Sequence, residues 1–354
     1  MKWKIVLTTV AAMMAGGAQA QSSVTLFGSV GGGVRWVDGL KGGHQVAFDS
    51  NIISGNSFGL KGTEDLGQGL KAIFTLQSGF VTGTGGLASA SGPLFSKAAY
   101  VGLATDAWRV TLGRQLSAAE DVGVALDPDA AQGSSMAIVP GVVWAGNFFT
   151  LDSRFNNMVK VVGKAGGLTL RGSYSVGGVA GNTRAGSTLA FGSTYQYQTL
   201  LVGAAYQKTY NATASQWAQT AIGGAAWQLG PARMYLSYSA LWVTAATSGG
   251  LERRDDIPAV GLVYRATPFL QLSTATYYDI GKNLKYKRGS DGRKLTTYAM
   301  VEYFLSKRTE LYLEYDRNGF SGAYKTDPAN VSALNLRPDG RAVTGVSIGM
   351  ITQF

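Results

Sequence analysis

Lys71, Arg109, Lys160 and Arg171 share one setting: each sits in an apolar stretch, "LKAIFTL", "WRVTLGR", "NMVKVVGK" and "LTLRGSYS". Fixed positive charge of this kind can attract and orient anions, but it does not make or break bonds. Bond-making chemistry has little to draw on. The chain holds one histidine, His44, with no serine or acid at a suggestive spacing, and no cysteine, so His-assisted nucleophilic catalysis and a zinc centre both lack their parts. The glycines at 31–33 fall inside an apolar alternating run rather than between a strand and a helix, which argues against a nucleotide loop. Nucleic acid is not indicated either, because the bases are dispersed at alternate positions instead of clustered on one face.

The elements that must position those bases read as strands. In Leu70 to Gln77 the apolar Leu70, Ala72, Phe74 and Leu76 alternate with Lys71, Ile73, Thr75 and Gln77, the period of a sheet with one apolar and one wet face. Similar segments recur through the chain, for example "AAYVGLA", "RMYLSYSALWV", "ELYLEYD" and the terminal "AVTGVSIGMITQF". We count sixteen, give or take two, each near the ~9–11 residues of a tilted membrane-crossing strand. Tight connections such as "KAGG" and "LGPA" alternate with long polar ones such as "TAATSGGLERRDD", as in a meander whose two ends face different compartments. A soluble β-sandwich also alternates, but it does not need so many strands in one domain or rings at strand ends such as Trp36, Trp108, Trp144, Trp217, Trp242 and Phe354. In a bilayer the sheet must close, because every backbone group has to pair. The fold class expected is all-β, a transmembrane antiparallel barrel.

Residues 1–20 form a basic n-region (Lys2, Lys4), an apolar run and a small-residue end "AQA", the pattern of a secretory signal cleaved between Ala20 and Gln21. Residues 21–354 then form one barrel domain. Removing the signal leaves 29 basic and 21 acidic residues, a net charge of +8.

"SVTLFG", "NSFGLKGTEDLGQGLKAIFTLQSGF", "AAYVGLATDAWRVTLGRQ", "FLSKRT" and the terminal Phe354 together resemble the general porins of β-proteobacteria and Neisseria. The resemblance implies a sixteen-stranded barrel, a homotrimer in the outer membrane among lipid and lipopolysaccharide, no cofactor, and a long third loop folded into the lumen. That loop is expected between Gln115 and Asn156, with Glu120, Asp121, Asp127 and Asp129 as its acids. Lys97 and Arg154 stand where the family places wall bases opposite such acids; Arg114 is assigned to the pore lining with them, or instead braces the base of the loop. The implied function is passive diffusion of small hydrophilic solutes and ions. A channel specific for small anionic solutes, or a closed-bore barrel serving as an enzyme or adhesion platform, are the alternatives.

Strand parity turns further bases inward: Arg35, Lys61, Lys71, Arg109, Lys160, Arg171, Arg233 and Arg265. For Lys97 the parity argument takes Ala98, Tyr100 and Gly102 as outward. A bore lined mainly by bases is expected to prefer anions. Val24, Leu26, Gly28, Val30, Gly32 and Val34 form the outward face of the first strand, whose glycines suggest close packing of another subunit. The basic run Lys285 to Lys294 reads as an external loop or a contact for lipopolysaccharide.

Overall fold

The structure, a computed structural model, describes residues 23–50, 52–88, 92–128, 146–327, 331, 335–337 and 339–354. The signal segment with its Ala20–Gln21 junction, Asp129 and Trp144 lie outside the described residues. The alternating runs become β1 (Ser23–Leu40), β2 (Gly43–Asp49), β3 (Ser57–Gly67), β4 (Leu70–Gly79), β5 (Ala98–Ala104) and β6 (Trp108–Leu116). After a helix, α1 (Ala118–Ala125), come β7 (Arg154–Ala165), β8 (Leu168–Ser175), β9 (Thr188–Tyr197), β10 (Leu200–Tyr210) and β11 (Trp217–Leu229). The circuit ends with β12 (Ala232–Val243), β13 (Arg253–Thr267), β14 (Leu270–Lys282), β15 (Gly292–Phe304), β16 (Thr309–Gly322) and β17 (Ala342–Gln353). Sequence neighbours pair antiparallel throughout, and β17 returns to β1. Closure leaves no edge strand to satisfy.

Seventeen segments make sixteen staves. β1 pairs with β2 through its second half, Gly33 opposite Asp49 to Leu40 opposite Gly43. Its first half pairs with β3, Ser23 opposite Thr63 to Ser29 opposite Ser57. β2 and β3 are therefore one wall strand interrupted by residues 50–56. The break would strand the backbone of Gly31 in the wall. The Asn56 carboxamide stands in for the missing strand, accepting from Gly31 N at 2.7 Å and donating to Gly31 O at 3.0 Å. The inserted turn carries Ile52 inward, where it is fully buried in a cluster with Tyr312 and Ile351.

Register fixes the two faces. One row runs Thr25–Lys61–Thr75–Tyr100–Gly113–Met158 across successive strands. The opposite row begins Leu26–Leu60–Leu76–Ala99, and its large side chains are exposed. The first row lines the bore and the second faces outward. This corrects the reading of β5: Ala98, Tyr100 and Gly102 face inward, while Val101 and Leu103 are the exposed outer positions. Tyr100 sits in mid-strand among polar inner neighbours, so it is not an interface ring. Lys97 precedes β5, and strand parity does not govern it.

The closing seam explains the glycines of β1. Gly28 and Phe354 exchange both backbone hydrogen bonds, at 3.1 and 3.0 Å. A Cβ on Gly28 would run into Ser57 O and the Phe354 ring, and one on Gly32 into the Phe48 ring. The outward notches therefore seat rings of the same chain, an aromatic-over-glycine packing across a seam, rather than waiting for a neighbour's backbone. Phe354→Ala uncovers Gly28 and should cost about 1 kcal/mol, the worth of a half-buried ring. The readout is the temperature at which the fast-migrating folded band converts to the unfolded one on gels. It should fall, and an unchanged conversion would refute the role of the ring.

Candidate functional site

The inner rows of β4 to β8 carry bases and no strand acid. Lys71, Arg109, Lys160 and Arg171 all fall on them, joined by Lys164 opposite Thr169. Lys97 and Arg154 stand at the margins of these strands, just before β5 and at the start of β7. Lys97 Nζ donates to the carbonyls of Ser54 and Gly55 at 3.0 and 2.9 Å, and its stem lies beside inner-row Gly79. It thereby ties the turn that interrupts β2 and β3 to the base of β5. Burial, aided by the neighbouring Arg154, pushes the Lys97 ammonium down to about 8.

The remaining inward bases are already engaged. Arg35 meets Glu314 at 3.2 Å and Asp316 at 2.5 Å. Lys61 lies over the Phe27 ring and Arg233 over Tyr235, while Arg265 donates to Gln271 at 3.3 Å. Arg114 is different. It stands opposite Ala99 on the outer row and reaches Ser96 O at 2.9 Å, Asn156 Oδ1 at 2.7 Å and Asp152 Oδ2 at 2.6 Å. It braces the start of β7 to the end of β6, and its pore-lining assignment is corrected to that.

The loop between β6 and β7 enters the bore as α1. Ser117 caps it, its Oγ accepting from Glu120 N at 3.0 Å, one of the donors a helix start leaves unpaired. Ala118 N donates to Ser173 Oγ at 3.0 Å, which seats the helix on β8. A patch of small inner-row residues receives the rest: Ala190, Gly192, Gly203 and Ala205 on β9 and β10. A Cβ on Gly192 would meet Ala118 O and the Val122 methyl at 2.7 Å. This seat was missed in the sequence, although its signal was present as four small residues at inward parity on consecutive strands.

The loop acids face three fates. Asp121 pairs with Lys160 at 3.0 Å and lies 3.9 Å from Arg171. Asp127 accepts from Tyr277 Oη at 2.6 Å, and Pro128 rests on Gly261, so the chain crosses the bore from β8 to the β13–β14 wall. It is a tether rather than a solvated turn. Glu120 is buried beside Arg154. Burial outweighs that guanidinium and pushes its carboxyl up to about 8. The fourth acid, Asp129, is outside the described residues.

Gly192→Leu should displace α1, since overpacking a fitted contact costs about 1–3 kcal/mol. Single-channel conductance should then rise and the chain should be cut faster by chymotrypsin at Leu126. Unchanged conductance with unchanged cleavage would show that α1 is not seated by this patch.

Comparison with known proteins accords with this geometry. A model of the Gram-negative porins matches residues 7–323. An outer membrane porin protein of Bordetella pertussis is 36% identical over 143 residues, covering 36% of this chain and 37% of that protein. Outer membrane porin protein 32 of Delftia acidovorans is 43% identical over 102 residues, 28% of each chain. These alignments span about a third of the relatives' length. An anion-selective porin from Comamonas acidovorans superposes with a TM-score of 0.76 at 22% identity, over 94% of this chain and 100% of that one. OmpT of Vibrio cholerae superposes with 0.70 at 13%, over 96% and 99%. At those identities the likeness is one of fold. With a family match along most of its length and a closed sixteen-stave barrel, the chain belongs to the Gram-negative porins.

Proposed function

We propose that the protein forms a water-filled channel in the outer membrane for passive diffusion of small hydrophilic solutes and ions, with a preference for anions. The observation that carries this reading is the wall of β4 to β8, whose inner rows hold bases and no strand acid. A unit charge at 4 Å from an ion is worth ~1 kcal/mol even in water, and ~1.4 kcal/mol is a tenfold bias. Of the opposing loop acids, Asp121 is paired with Lys160, Glu120 is held protonated near neutral pH, and Asp127 is fixed against the far wall by Tyr277. The segment before Gln21 is proposed to be removed on export.

The sign of the pH dependence follows from two groups. As pH rises from 7 to 9, Lys97 loses its charge and Glu120 gains one, both with midpoints of about 8. Both changes make the bore less positive. The zero-current potential across a bilayer under a KCl gradient should show chloride preference at pH 6 that declines by pH 9. Lys97→Gln with Glu120→Gln should flatten that step, and Lys97→Gln with Arg154→Gln should shift selectivity toward potassium at pH 7. A cation-selective wild type would overturn the reading.

Assembly is proposed as a homotrimer, the form of one structure of OmpT from Vibrio cholerae, through the outer face of β1. Val24, Leu26 and Val34 are exposed there, beside the Phe48 and Phe354 rings seated on Gly32 and Gly28. The chain has no cysteine, so a single introduced one reports cleanly. Leu26→Cys should be joined between subunits by a bifunctional maleimide, whereas Val202→Cys on β10, across the barrel, should not. The reverse result would move the interface. Contact with lipopolysaccharide is proposed at the long-loop end of the outer face. Arg254 and Lys282 stand side by side there, and Lys208 and Arg254 lie over Trp217 and Trp242.

A further inference from the structure

We propose that the bore holds a binding site for a small multivalent oxyanion, bearing phosphate or paired carboxylates, in the cavity between α1 and β6 to β8 on the short-turn side of the helix. The proposal rests on the channel reading and goes beyond a diffuse preference for anions. The cavity measures about 440 Å³, and Arg109, Lys164, Arg171, Thr169, Asp121 and Val124 line it.

Register places its cations around one floor residue. Val162 is opposite Arg109 on one side and opposite Arg171 on the other, so the two guanidinium stems rise about 10 Å apart, two strand spacings. Lys164 follows two residues along β7, opposite Thr169, about 7 Å from Val162 along the strand. Three long side chains thus converge above an apolar floor from three directions, with Val124 of α1 as the roof. Among the described residues the side chains of Arg109 and Lys164 have no hydrogen-bond or ion-pair partner. Two acids also line the cavity: Asp121, which pairs with Lys160 at 3.0 Å, and Asp106, in the β5–β6 turn, which lies 3.4 Å from Lys71. Arg171 gives one N–H to Thr194 at 3.0 Å and keeps its longer 3.9 Å approach to Asp121.

Arg109 and Lys164 are like charges without a paired acid, and an anion with several oxygens can meet both together with Arg171. Guanidinium forks match the geometry of phosphate and carboxylate, and Lys164 adds a point charge. A chloride ion, with one centre, cannot bridge them. The cavity volume admits a phosphorylated or dicarboxylic molecule of a few carbons. The site lies among the turns at 105–107 and 166–167, the end that faces the periplasm in barrels with this asymmetry of connections. A solute arriving there from outside has already passed α1.

The test uses the full-length folded protein in a planar bilayer in KCl. Inorganic phosphate or succinate is added to one side at a time. Each should reduce chloride current, and the side facing the short turns should be the more sensitive. Arg109→Gln with Lys164→Gln should raise the half-blocking concentration about tenfold, the low end for losing charged hydrogen bonds. Lys208→Gln, on the outer wall, should not. Comparing phosphate with succinate shows which oxyanion chemistry the site favours. Broadening of the phosphate ³¹P line by detergent-solubilised protein reads binding without current. Conduction without line broadening, or broadening that the Arg109/Lys164 pair does not control, would overturn the site while leaving the channel standing. Binding that depends on the pair in a protein that does not conduct would uphold the site and fail the channel.

Discussion

Every backbone donor and acceptor that crosses a bilayer must find a partner in protein, and the rest of this structure depends on that condition. Closing β17 onto β1 meets it around the circuit. The break in the β2–β3 stave is local and is repaired locally. Where residues 50–56 leave the wall, a side-chain amide presents the same donor and acceptor that a strand would, so Gly31 remains paired. An aspartate could accept but not donate, and a serine could not do both at that reach. The asparagine lets the chain leave the wall between Asp49 and Ser57 without opening the barrel.

Those residues have a use inside. Ile52 joins an inner cluster with Tyr312, and the carbonyls of Ser54 and Gly55 hold Lys97. The bore is therefore narrowed from two sides, by the interrupted stave and by α1. The two devices share a logic. Each brings main chain into the lumen only where side chains or small residues of the wall have made room or supplied partners. Asn56 does this for the turn, Ser173 and Gly192 for the helix.

Much of the architecture was legible in the sequence because a two-residue period is a strong signal over ten residues. The strand count, the alternation of short and long connections and the inward set led by Lys71, Arg109, Lys160 and Arg171 all follow from it. Failures came where a local pattern had two physical readings. Tyr100 looked like an interface ring, yet only cross-strand register could say that it belongs to the row of Lys61 and Thr75. Gly28 and Gly32 looked like room for another subunit. The rings that fill them, Phe354 and Phe48, lie 326 and 16 residues away in the chain, and no periodicity announces such a pairing. Arg114 follows the alternation of β6 outward, but its partners at Ser96, Asp152 and Asn156 come from segments with no period at all. Asn56 was silent for the same reason.

The charge balance of the bore shows why counting residues along the loop misleads. Glu120, Asp121 and Asp127 look like a row of acids facing the lysines and arginines across the passage. In the fold each meets a separate demand of the chain that carries it. Asp121 neutralises buried Lys160, whose lone charge would otherwise be costly beneath the helix. Asp127 fastens the far end of the loop to Tyr277. Glu120 lies so deep that burial overrides even Arg154 and favours its proton. An acid paired with a base, as Asp121 is, or kept protonated, as Glu120 is, adds little field to the open passage. The bases differ because the wall already has its hydrogen bonds through the backbone ladder, and Arg109 and Lys164 are left facing water. The lumen thus gains its positive character less from an excess of bases than from how thoroughly folding occupies the acids.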